Sequence, residues 1–195
     1  MELADLLASV RAALGRDLGA STPAPPASPA FAVPAPVTDR AALVDRFCER
    51  AAAVGVEIRR VAEAELDATL AALGASRAPL VDGAAAYDRE VGLTDAAWAI
   101  AETGSVVVAA APDAPRGLSA ATLVHVAVVR EADVVQTLAE ALARGAEGGL
   151  PSALTVVTGP SKTADIEGII VTGVHGPGRV VAVVVSPGAG ATRAG

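Results

Sequence analysis

The sequence predicts an α/β domain with a largely parallel sheet flanked by helices on both faces. Two features carry that prediction. Strand-like and helix-like segments alternate along the chain, and Val106–Ala111, Leu123–Val129 and Arg179–Val185 are apolar without period-two alternation. Strands of that kind are buried on both faces, as in parallel sheets. A third feature fixes the kind of core. Apolar residues make up 52% of the 195 residues but aromatics only 2%, so packing falls to Val, Leu, Ile and Ala.

Taken in order, residues 1–20 read as an amphipathic helix, with Leu3, Leu6, Leu7, Val10 and Leu14 on one stripe. Residues 21–38 are rich in Pro and Ala, a composition that fixes φ and removes donors, and read as a linker. The α/β domain spans 39–187, and 188–195 is a Gly/Ala-rich flexible tail. Within the domain, Asp39 or Thr38 caps a helix with Leu43, Val44, Phe47, Ala51 and Val54 on one face. Val56–Val61 is a short strand, followed by a helix carrying Leu66, Leu70 and Leu73 that stops at Gly74. Leu80-Val81 reads as a short strand and Asp82–Tyr87 as a loop or helix start. Ala96–Ala101 reads as a short helix capped by Thr94 or Asp95, and Glu131–Arg144 as an amphipathic helix.

The formal net charge of −7 argues against nucleic acid and anionic membrane as partners, since both favour a basic face. Cys48 is the only cysteine, so it forms no internal disulfide and no thiolate cluster, and it reads as a small buried hydrophobe. The start of the chain has two acids and no basic n-region, and no apolar run reaches the length of a membrane span. The expectation is a cytoplasmic protein.

Polar chemistry collects late in the chain. Gly159-Pro160-Ser161-Lys162-Thr163-Ala164-Asp165-Ile166-Glu167 holds the only lysine, and Gly173-Val174-His175-Gly176-Pro177-Gly178 holds one of the two histidines. The first stretch is not a P-loop, because that motif needs glycine where this chain has Ser161 and Val156. It reads as a strand leading into a helix start, where hydroxyls and N–H groups can hold an anion. The alternative is that Ser161, Thr163 and Asp165 only cap that helix and Glu167 completes its first turn. Lys162 adds a compact point charge in a chain whose other cations are all arginine.

His175, between glycines, can approach a ligand as acid, base or donor, or can simply tie down a tight turn. His125 lies inside an apolar strand and reads as a satisfied core histidine. Glu102-Thr103-Gly104-Ser105 breaks a helix before a buried strand. It either lines a cleft at one end of the sheet or is a glycine helix stop with exposed polar neighbours. The histidines lack metal-ligand spacing, so no metal is expected.

These residues carry a family resemblance. Ala99-Ile100-Ala101-Glu102-Thr103-Gly104-Ser105, the Gly159–Glu167 stretch and Gly173-Val174-His175-Gly176-Pro177 resemble the signatures of the LUD domain family, in particular its lactate utilisation protein C (LutC/YkgG-like) branch. The resemblance covers residues 39–185. It implies a fold like the ribose-5-phosphate isomerase, glucosamine-phosphate deaminase and CoA-transferase group. It also implies a part in oxidising L-lactate to pyruvate alongside iron–sulfur partner proteins, with the clusters on those partners and no cofactor on this chain. A small carboxylate or phosphorylated ligand would then meet Glu102, Thr103, Gly104, Ser105, Ser161, Lys162, Thr163, Asp165, Glu167, His175 and Gly176. Lys162 stands where the family pattern favours arginine, which keeps the charge but loses a bidentate clamp. Two further readings stay open: a stand-alone isomerase or acyl-transfer enzyme using Glu102, Asp165, Glu167 or His175, and an assembly or regulatory module docking through residues 3–18.

Overall fold

The computed structural model describes residues 3–13, 15, 35–77, 89–111, 117–147, 151–164 and 170–187. Most of the linker segment, the 188–195 tail, the Leu80-Val81 strand, the Asp82–Tyr87 segment, Asp165 and Glu167 lie outside the described residues. The chain divides into two compact units, Met1–Ala35 and Pro36–Gly195. The first contains helix α1 (Leu3–Ala13), with Asp5 in its first turn and Arg11 in its last, the charge order that complements a helix dipole.

The second unit opens with α2 (Arg40–Ala53). The Asp39 carboxylate accepts a hydrogen bond from the Ala41 amide at 3.0 Å, and Leu43, Val44, Phe47 and Ala51 form the buried face. Strand β1 (Glu57–Ala62) leads through a 3₁₀ turn into α3 (Leu66–Ala72), which buries Leu66 and Leu70. Next come β2 (Val91–Asp95), β3 (Trp98–Ile100), β4 (Ser105–Ala109) and the short α4 (Gly117–Ala120). They are followed by β5 (Val124–Arg130), β6 (Val134–Val135), α5 (Leu138–Glu147) and β7 (Leu154–Val157). The chain closes with β8 (Lys162–Ala164), β9 (Ile170–Thr172) and β10 (Arg179–Ser186).

The main sheet has the order β1-β10-β5-β2, and all three pairings are parallel. Its valine-rich strands are buried on both faces, as their unbroken apolar runs require. On one face Leu93, Val126, Val128, Val181, Val183 and Val185 pack against Leu66 and Leu70 of α3. On the other, Ala127, Val129, Val180, Ala182 and Val184 meet Phe47 and Val44 of α2 together with Ala99, Val106, Val108 and Val134. Each fully buried valine here contributes about 1.5–3 kcal/mol.

Helices thus lie on both faces, as expected, and on the second face α2 shares the cover with an element the sequence did not suggest: a second four-stranded sheet, β6-β3-β4-β7, antiparallel except between β3 and β6. The outer side of this sheet places Ile100, Val107 and Val135 under Ala141 of α5.

Two helix assignments change for the same reason. Residues 98–100 form β3, because Trp98 and Ile100 find cross-strand partners in Val107, Ser105 and Val135. Pairing with a neighbouring sheet overrides the helical bias of the surrounding alanines. Thr94 and Asp95 therefore end a strand and cap no helix. Likewise Val134-Val135 is drawn out as β6 beside Ala99 and Ile100, so α5 starts at Leu138 and not at Glu131.

Candidate functional site

Within the late motif, residues 161–164 do not open a helix. Lys162–Ala164 is β8, paired antiparallel with Thr172–Ile170 of β9. Thr163, Ile170, Val171 and Thr172 are β-branched and suit a hairpin. The expectation of an anion held at a helix N-terminus by Ser161 and Thr163 is thereby overturned. The helix end beside the loop belongs to α2, and it is the C-terminal, negative end. A Cβ placed on Gly159 would stand 2.5 Å from the Val54 carbonyl oxygen. One placed on Gly55 would stand 3.5 Å from Pro160 and 3.9 Å from Lys162 Nζ. The exposed Lys162 ammonium thus lies where a helix favours a cation.

The Glu102–Ser105 turn joins the same helix end. Gly104 has φ +70°, and a Cβ there would stand 2.2 Å from the Ala51 amide nitrogen, so only glycine lets the turn lie against α2. Ser105 is 1% exposed. Its Oγ lies 2.7 Å from Thr103 Oγ1 and 2.7 Å from Thr158 Oγ1. Thr158 immediately precedes Gly159, so this chain of hydroxyls ties the first motif to the second across 53 residues of sequence. The Glu102 side chain is exposed, while its amide donates to the Gln136 carbonyl.

The third motif closes on the second. The Ser161 amide donates to the Pro177 carbonyl, and the Ser161 carbonyl accepts from the Gly173 amide, both at 2.9 Å. Gly176 faces Ser161 and the Ala120 carbonyl at the end of α4, and the Gly178 amide donates to the Leu123 carbonyl at the entrance to β5. His175 stands exposed on this turn.

The structure therefore links the Glu102–Ser105 turn, Ser161–Thr163 and His175-Gly176 through one hydrogen-bonded junction. It lies beyond the amino ends of β10 and β5 and beside the α2–β1 connection. The carboxyl-edge crevice usual for parallel sheets is elsewhere in the molecule. There a cleft of about 450 Å³ is lined by Glu63, Asp67, Arg77, Asp95, Arg130 and Asp133. Its arginines already hold carboxylates: Arg77 meets Asp95 at 2.7 and 3.1 Å, and Arg130 pairs with Glu63. Nothing local in the sequence marks these residues, which come from four separate segments.

His125 is fully buried on β5, and its Nε2 lies 2.8 Å from Thr94 Oγ1. Its Nδ1 has no partner, so the histidine is satisfied at one nitrogen only. Desolvation lowers its pKa from 6.5 to about 4, which keeps the ring neutral near pH 7. Half-buried Cys48 packs against the core, and desolvation pushes its thiol pKa up, away from thiolate chemistry. Among the described residues no group of three or more His, Cys, Asp or Glu side chains is placed to hold a metal ion.

A parallel valine-rich sheet backed by a second mixed sheet, with three glycine turns knotted at its amino edge, defines an α/β protein whose exposed polar groups are presented by loops on a rigid base. The family model for the LUD domain matches residues 83–185. The chain is 36% identical over 188 residues to lactate utilization protein C of Deinococcus radiodurans, covering 83% of this chain and 87% of that one. It belongs to the LUD domain family. It is also 36% identical over 105 residues to the Escherichia coli protein YkgG, and 33% identical over 108 residues to lactate utilization protein C of Bacillus subtilis. Those two matches span 46% and 44% of the relatives' lengths. The crystal structure of a DUF162 family protein from Deinococcus radiodurans superposes with a TM-score of 0.58 at 29% identity, over 77% of this chain and 99% of that one. Among the described residues no helix is long and apolar enough to cross a membrane.

Proposed function

We propose that this chain is a cytoplasmic subunit or accessory protein of an L-lactate utilisation system, working with iron–sulfur partner proteins that oxidise L-lactate to pyruvate. In this reading it carries no cluster itself and binds a small carboxylate at the motif junction. The relatives' names point to the pathway. The observation that carries the site is the junction, where backbone and hydroxyl hydrogen bonds hold Thr103, Ser161 and Pro177 while Glu102, Lys162 and His175 are left exposed. Polar side chains displayed on so constrained a base suit recognition better than packing. Kinship with the CoA-transferase-like fold group fits the parallel sheet and remains part of this proposal.

Lys162 supplies the charge for the carboxylate and Ser161 and Thr163 supply hydroxyl donors. Calorimetric titration of the full chain with L-lactate and with pyruvate tests this. Lys162→Ala should weaken binding about 10- to 100-fold, the range for a lost charged hydrogen bond. Undiminished binding removes the lysine from the site.

A second reading has an observation of its own. Leu123, Val174, Ile170 and Val171, all within or beside the junction, are 64%, 55%, 67% and 41% exposed. Apolar side chains around a polar site suit contact with a partner protein, so ligand binding and assembly meet on the same face.

A further inference from the structure

Strand β1 ends the main sheet. It pairs with β10 on one side and, among the described strands, with none on the other. A groove of about 1030 Å³ runs along that open edge, lined by the consecutive β1 residues Ile58 to Val61 and, on its far wall, by Ala64, Ala68 and Ala72. Successive strand residues point to opposite faces, so a groove that touches all of them follows the backbone edge itself. The Val61 carbonyl accepts from the Ser186 hydroxyl on β10 at 3.3 Å. Neighbouring residues turn their amides and carbonyls to opposite edges, so those of Ile58 and Arg60 face the groove. The Ala62 amide, of the same phase, donates to Glu65 Oε2 at 3.0 Å, which ends the open stretch.

An open edge invites a further strand, and the charges on β1 select which one. Val61 packs on the α3 side of the sheet and Ile58 on the α2 side, so Glu57 and Arg59 share the face of Val61. Arg179 of β10 fixes the Glu57 carboxylate through Nε at 3.0 Å and Nη2 at 2.6 Å. Consider a second copy of β1, antiparallel and related by a two-fold axis through the sheet. Centred on Glu57, the pair opposes Glu57 to Glu57. Centred on Arg59 or Arg60, it opposes arginine to arginine, and like charges directly opposite destabilise a strand pair. Centred on Ile58, it sets Glu57 opposite the partner's Arg59, Arg59 opposite the partner's Glu57, Ile58 opposite its own copy and Arg60 opposite an uncharged valine.

We infer that this groove is a homodimer interface, in which two copies of the chain pair β1 with β1 antiparallel about Ile58 and join their main sheets into one. Residues 55–58 of each copy lie along 58–61 of the other. The interface is isologous, so it closes at two chains and leaves no free β1 edge.

Sedimentation equilibrium of the full chain over a range of concentrations tests this. The wild type should dimerise. Glu57→Arg and Arg59→Glu each set like charges opposite one another at both symmetric positions, and each should raise the dimer Kd about 10- to 100-fold. Mixed in equal amounts, the two variants again oppose unlike charges at both positions, so a heterodimer should recover most of the wild-type affinity. Misfolding of either variant cannot produce that recovery. Wild-type chain that stays monomeric throughout overturns the proposal and leaves the groove to an extended segment of another protein. A dimer indifferent to both single substitutions, or a mixture that shows no recovery, overturns it as well.

Discussion

Lys162 Nζ lies 3.9 Å from the point where a Cβ on Gly55 would stand, at the C-terminal end of α2. The ammonium therefore has a structural attraction besides any ligand it meets. Lys162→Ala should lower stability by about 0.3–1 kcal/mol and Lys162→Glu by more, because a carboxylate opposes the helix dipole. Urea unfolding at low and high salt measures both, and the difference should shrink as salt screens it.

Gly104 and Gly159 should be the least replaceable residues of the junction. Both have positive φ, and a Cβ on either would enter α2 backbone. Gly104→Ala should cost about 2 kcal/mol or more, combining left-handed backbone strain with displacement of the helix end. Gly159→Ala should cost somewhat less, since its contact is 2.5 Å rather than 2.2 Å. By contrast Gly15→Ala, with nothing within 4 Å, should show the backbone strain alone in helix and melting measurements.

His125 predicts a pH dependence. Its pKa is about 4 when folded and near 6.5 when unfolded, so between these values the unfolded chain binds more protons. The contribution is fully present above pH 6.5 and is lost as pH falls toward 4, about 3 kcal/mol in all. Stability measured across that window should fall with acidification, and His125→Gln should flatten the slope. Thr94→Val removes the one partner of Nε2 and should cost about 1–3 kcal/mol at neutral pH.

Phe47, one of only two phenylalanines, sits at 0% exposure where α2 meets both sheets. Phe47→Ala should cost about 3–5 kcal/mol. Because α2 also supports Gly104 and Gly159, ligand binding should weaken as the fold loosens, which equilibrium unfolding and titration on the same sample will show.

Long apolar runs made much of this architecture legible in the sequence. Val124–Val129 and Val180–Val185 could only be buried strands, and Leu43, Val44, Phe47 and Ala51 spelled out α2. The second sheet was hidden because β3 and β6 are only three and two residues long, so that both read as helix until their pairing was known. The motif residues announced themselves by composition, but their arrangement did not. Ser161-Lys162-Thr163 carries helix-capping side chains and yet pairs as a hairpin, because the partner strand is β-branched throughout. The Ser105–Thr158 contact and the approach of Gly104 and Gly159 to α2 join distant segments, and no local spacing encodes them. The ion pairs at the carboxyl edge were invisible for the same reason.

The most direct test of the central claim is L-lactate-dependent dye reduction by the proposed iron–sulfur partners, reconstituted with and without this chain. A role in lactate utilisation predicts that full activity requires the chain and that Lys162→Ala and Gly104→Ala variants restore it only in part. Partners that oxidise L-lactate equally well alone would contradict the proposal.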